Sequence, residues 1–240
     1  MKKSVLFLMA CAFQVGMAQT NPIVENYPLK AMDLVLFTFG MDHPVNIGTV
    51  ANSGELNISL PNNLNSIPEE AKENFLSDTA FVMFSKCDYS NDILSESENI
   101  KAAGGGYISL SSKDNPYSGL IFMVTDEDLV PWLEDTYSNN AVVGSYFELV
   151  YLIADFSYQG QCSRKVSNTE NDIIETVYTY DLKLNPGYNF IEYKIESVLE
   201  HAVPSMYEEG VFDNLMKPRT ITVSSTQAVP PTTKWIGKYF

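Results

Sequence analysis

From Asp33 onward the chain carries short runs rich in Val, Ile, Phe, Tyr and Thr, separated by Gly, Asn, Pro and Ser. Runs of this kind bounded by turn residues predict strands. Leu34 to Phe39 is one, stopped by Gly40. Ile47 to Val50 and Leu56 to Leu60 flank Asn52-Ser53-Gly54, a hairpin signal, and Pro61 closes the second strand. Phe81 to Phe84, Tyr107 to Leu110, Gly119 to Val124, Thr220 to Val223 and Trp235 to Phe240 extend the series. Val177 to Leu184 alternates large apolar with small or charged side chains. After it, Asn185-Pro186-Gly187-Tyr188 suits a type II turn, with Pro and Gly at the two central positions. The return run places Ile191, Tyr193 and Ile195 on one face and Glu192, Lys194 and Glu196 on the other. A hairpin with one buried and one wet face is the expectation. The longest apolar stretch outside the N-terminus, Ala141 to Ala154, is broken by Gly144, Ser145 and Glu148, and reads as a strand buried on both faces.

Helical signals are sparse. Ser66-Ile67-Pro68-Glu69 fits a capping box and predicts a short helix to about Ser77. Pro131 tolerates only a helix that starts near Asp128, with an acidic first turn. A third segment, Ser205 to Met216, is weakened by Gly210. The expected class is therefore all-β: an antiparallel β-sandwich with two or three short helical insertions. The terminal Phe240 invites comparison with outer-membrane barrels. Counting back by twos, however, puts Lys238 and Lys234 on the lipid face, which argues against one.

Residues 33–61 run through a strand, Ile47-Gly48-Thr49-Val50, a turn at Ser53-Gly54, and a strand ending in Leu60-Pro61. This pattern resembles transthyretin-like modules, including carboxypeptidase regulatory-like ones, with Ser53 where those have an aspartate. The resemblance implies a β-sandwich module without catalytic activity.

Lys2 and Lys3, the apolar run Val5 to Phe13, and small Gly16 and Ala18 before a polar segment describe a secretory signal peptide over residues 1–18, cut between Ala18 and Gln19. Leu8-Met9-Ala10-Cys11 offers a second cut, that of a lipoprotein anchored through Cys11. The short apolar region before Cys11, and Met at −2, favour plain export. The apolar run falls short of a membrane span. Removal of the leader leaves 222 of the 240 residues. That length suits one continuous domain, 19–240, or two units, 19–125 and 126–240.

Export changes the reading of the cysteines. The exported chain keeps Cys87 and Cys162, and an even pair in an oxidising compartment predicts a disulfide. It also keeps 13 basic against 30 acidic residues, which argues against nucleic acid as a partner.

Catalytic signals are few. His43, between Asp42 and Pro44, and His201, after Glu200, have no second ligand at zinc spacing and read as surface or turn residues. No Gly-x-Ser-x-Gly elbow is present. Asp126-Glu127-Asp128, Glu134-Asp135, Glu208-Glu209 and Asp88 with Asp92 are acidic clusters without a calcium-loop pattern. Gly104-Gly105-Gly106 lacks phosphate-loop spacing and reads as a free link before a strand. Trp132 and Trp235, beside turns, are the candidates for exposed ligand-stacking rings. No catalytic residue, metal site or cofactor is assigned. The sequence points to an exported, non-catalytic binding or structural protein of the cell envelope, with a protein or glycan surface as partner. A carbohydrate hydrolase using a carboxylate pair and a lipoprotein partner of an outer-membrane complex are the alternatives.

Overall fold

A computed structural model describes residues 21–240 apart from 62, 89–99, 170, 171, 206, 207 and 209. The leader with its Ala18–Gln19 cut, Cys11, and Asp92 lie outside the described residues. The N-terminal strands are β1 (Val24–Glu25), β2 (Met32–Leu36), β3 (Val45–Val50) and β4 (Leu56–Ile58). Helix α1 (Glu69–Phe75), β5 (Ser77–Asp78) and α2 (Thr79–Met83) come next, then β6 (Lys101–Gly106), β7 (Ile108–Ser111) and β8 (Gly119–Val124). Helix α3 (Leu129–Glu134) leads to β9 (Gly144–Leu152) and four long strands: β10 (Phe156–Thr169), β11 (Asp172–Leu184), β12 (Gly187–Pro204) and β13 (Phe212–Thr226). The last element is β14 (Lys234–Tyr239).

The all-β class holds. The strands form one open, branched sheet in the order β10-β11-β13-β12-β9-β8-β7-β2-β3-β4, mostly antiparallel and not closed into a barrel. Strand β14 pairs with β8 and with β1, and β6 pairs with β9 and β5. Strands from both sides of residue 125 are thus hydrogen-bonded to each other, as in Met123 with Phe147 and Met123 with Trp235.

The centre of the sheet is buried on both faces, which explains the near-continuous apolar sequence of β8 and β9. Phe122, Val124, Tyr146, Val150 and Leu152 enter one core together with Tyr180, Leu182, Ile191, Tyr193 and Ile221. The alternate residues Ile121, Met123, Phe147 and Leu149 enter a second core with Leu34, Ile47, Ile108 and Trp235. Period-two alternation sends neighbouring side chains to opposite sides, so a single strand serves both cores.

The Gly104-Gly105-Gly106 run is part of β6, not a free link. Gly106, at φ +60°, breaks the register of β6 against β9, after which β7 pairs with β8. Glycine supplies the left-handed conformation that this change of partner requires. At Gly105 a Cβ would lie 2.9 Å from the Leu149 Cβ and carbonyl oxygen, so β9 packs against bare backbone there.

Several expectations are corrected. Val177–Leu184 and its return strand do not form a hairpin: β13 lies between β11 and β12, parallel to the first and antiparallel to the second. The turn itself forms, with Gly187 at φ +97° and the Asn189 amide donating to the carbonyls of Asn185 and Gly187. It carries the chain over the end of β13, whose buried Ile221 and Val223 fill the gap. Phe81–Phe84 is no strand. Ala80, Met83 and Phe84 are buried at helical spacing and Phe81 is exposed, so α2 covers much of this run. Ser66 does not cap α1; Pro68 holds that position, and its carbonyl accepts the first helical bond from Lys72. The segment 205–216 holds no helix among its described residues: Phe212–Met216 is strand, paired with Glu200–Pro204. Helix α3 starts after Asp128 as expected, but its first turn, Leu129-Val130-Pro131-Trp132, carries no acidic residue, because the acidic run ends at the cap.

Candidate functional site

Past Asp181 and Ser224 in one direction, and past Val177 and Thr220 in the other, β11 and β13 are no longer paired. In the second direction the β10–β11 ribbon and the β12–β13 ribbon part, and a cleft of about 460 Å³ opens between them. The β10–β11 wall carries Arg164, Val166, Ile174, Thr176 and Tyr178. The register sets Arg164 opposite Thr176 and Val166 opposite Ile174, so these side chains share one face of the ribbon. Val203, Lys217 and Pro218 form the facing wall, and Trp132, Leu133, Thr136 and Tyr137 close the side.

The floor holds an ion pair inside an aromatic cage. Lys86 Nζ donates to Glu148 Oε1 at 3.0 Å and to the Tyr146 hydroxyl at 3.1 Å. It lies 3.9 Å from the centre of the Tyr193 ring, which stacks on Tyr146 at 4.9 Å. The Glu148 charge also acts on the Tyr107 phenol. Burial opposes the Lys86 charge, yet the Tyr193 phenol and the Glu148 carboxylate outweigh it and hold its pKa above the ordinary lysine value. Burial first, and the Glu148 charge second, push the Tyr107 and Tyr146 phenols up. Lysine and phenols therefore keep their neutral-pH protonation states.

The cysteine pair places this floor. Cys87 and Cys162 are bonded to each other across a sequence separation of 75, as expected. Cys162 stands opposite Tyr178 on β10, and Cys87 follows Lys86 directly, so the disulfide ties the lysine's segment to the cleft wall.

Lys217 is 6% exposed, and its Nζ donates to the carbonyls of Thr136, at 2.9 Å, and Tyr137, at 2.5 Å. Burial lowers its pKa, with the Asp135 charge partly restoring it. Trp132 is 7% exposed, and its indole Nε1 is buried without a hydrogen-bond partner among the described residues. An orphaned donor of this kind costs about 1–3 kcal/mol.

Neither tryptophan is the exposed ring expected from sequence. Trp132 is buried but forms part of the cleft wall, whereas Trp235, at 6% exposed, packs into the second core. For Trp235 a strand position decided this, because its face of β14 packs against the second core. His43 lies in a loop and His201 in β12, both away from the cleft lining. Among the described residues, Glu148 is the only carboxylate of the lining, and no group of three or more metal-binding side chains occurs.

Lys86, Tyr107 and Glu148 belong to no motif and were missed in the sequence. One signal was present. Glu148 is the only charged residue between Ala141 and Ala154, and a carboxylate in a doubly buried strand needs a partner. No helix among the described residues is long and apolar enough to cross a membrane. No protein-family model matches the chain, and neither does any curated protein or solved structure at the significance required.

Proposed function

We propose that the chain is an exported, non-catalytic binding protein of the cell envelope whose cleft between the two ribbons holds a small ligand. The observation that carries this reading is the state of the cleft floor. Its charged groups are committed to one another, Lys86 to Glu148 and Tyr146, in a concave and largely apolar site. A hydrolase of glycosides needs two carboxylates facing across the substrate, and the cleft lining supplies one, already neutralised. The N-terminal pattern and the joined cysteines support export.

The test has two parts. Incubation with panels of glycans, esters and peptides should give binding without turnover, the ligand being recovered intact. The cavity-filling variant Val203→Trp should abolish that binding. Turnover lost on substitution of Glu148 or His201 would overturn the reading in favour of an enzyme. The mass of the mature N-terminus distinguishes a chain starting at Gln19 from one lipidated at Cys11.

A further inference from the structure

The whole chain has 15 basic and 30 acidic residues, yet the described residues of the cleft lining reverse that balance, with Lys86, Arg164 and Lys217 against Glu148. The three cations differ in what they have left to offer. Lys86 is neutralised by Glu148. Lys217 is spent on the carbonyls of Thr136 and Tyr137, with Asp135 the carboxylate nearest to influencing it. Arg164 is exposed at the wall and forms no ion pair among the described residues. A guanidinium offers a rigid fork of donors that matches a carboxylate, and a site of one sign on an oppositely charged surface concentrates ions of the other sign.

A second group also lacks an acceptor. The Trp132 indole N–H, in the same lining, is buried and unpartnered. Beside these donors the walls carry Val166, Ile174, Val203 and Pro218, which can neither donate nor accept through their side chains, interspersed with the hydroxyls of Ser167, Thr176 and Tyr178. Donors at fixed points and apolar side chains beside them describe the complement of an amphipathic acid.

Resting on the reading of the cleft as a ligand site, we infer that its ligand is an organic acid with an apolar body: the body lies against the β10–β11 and β12–β13 walls, and its oxygens take hydrogen bonds from Arg164 and Trp132. The wild-type protein is titrated with decanoate and, separately, with 1-decanol of the same chain length. Binding is followed by the two indole N–H resonances, assigned with Trp132→Phe. Decanoate should shift the Trp132 signal and leave that of Trp235 in place. It should bind about tenfold or more tightly than decanol, and Arg164→Gln should remove that advantage while the melting temperature is unchanged. Trp132→Phe, which keeps the ring and deletes the donor, should also weaken decanoate. Equal affinity for decanoate and decanol, or full affinity in Arg164→Gln, overturns the acid while leaving the ligand cleft standing. Decanoate binding that survives Val203→Trp, or binding of neither probe, overturns the acid and counts against the cleft as well.

Discussion

Lys86 Nζ and Glu148 Oε1 meet at 3.0 Å although 62 residues separate them in the chain. Each keeps about a quarter of its side-chain surface accessible, so the pair is neither solvated nor fully buried. Removing one partner strands the other charge in the aromatic cage. Glu148→Gln or Lys86→Met should each cost about 2–3 kcal/mol, less than a fully buried pair because solvent still reaches both groups. The double variant Lys86→Met/Glu148→Gln should lose less than the sum of the two single variants. Urea denaturation of the three proteins checks this, and strictly additive losses would refute the coupling.

The Cys87–Cys162 bond closes a loop of 75 residues. Opening a loop of that length should cost about 4 kcal/mol in the chain-entropy picture. Cys87→Ser/Cys162→Ser should unfold at correspondingly lower denaturant. Because Lys86 precedes Cys87, the variant should also lose order at the cleft floor, read as faster amide exchange at Lys86 and Glu148.

Gly104 and Gly105 are neighbours with opposite surroundings. A methyl at Gly105 meets Leu149 at 2.9 Å, whereas a Cβ at Gly104 has nothing within 4 Å. Gly105→Ala should destabilise by about 1–3 kcal/mol through overpacking. Gly104→Ala should fall within about 0.5 kcal/mol of wild type or gain slightly. Thermal melts of the two variants separate these outcomes, and equal shifts would contradict the close approach of β6 and β9.

Burial raises the phenol pKa of Tyr107, Tyr146, Tyr178, Tyr180 and Tyr193, and lifts Tyr27, Tyr188 and Tyr239 to about 12. Unfolded tyrosines ionise near 10. The fold thus favours the neutral phenols, and that contribution to stability is complete below pH ~10 and drains away as pH rises through 12 and above. Native protein at pH ~11 should show phenolate absorbance from fewer than its 14 tyrosines, with the denaturation midpoint falling from pH ~10 upward. Full ionisation near pH 10 with the fold intact would contradict it.

The elements that were legible in the sequence are those whose burial is one-sided. Ile191, Tyr193 and Ile195 alternate with Glu192, Lys194 and Glu196 because one face of β12 meets the core and the other meets water. Four apolar residues in a row carry no such period, which is why α2 reads as a strand until Ala80 is counted with Met83 and Phe84. Strand β10 escaped notice because its Ser, Gln, Arg and Lys residues lie on an edge ribbon that is largely exposed. At the cleft, Trp132 reads as a ring face it does not expose, while Arg164 and Lys86 carry no local pattern and Glu148 shows only its isolation in an apolar stretch.

Local spacing alone determined the all-β class, the turn at Gly187, the start of α3 and the pairing of the last two cysteines, since each depends on short-range sterics, on alternation, or on there being only two cysteines beyond Cys11 to join. Tertiary structure decided that β13 slides between β11 and β12, and so that two ribbons diverge with a cleft between them. No turn encodes that insertion, because it is settled by which apolar faces, Ile221 and Val223 among them, can be buried together once the whole sheet has assembled.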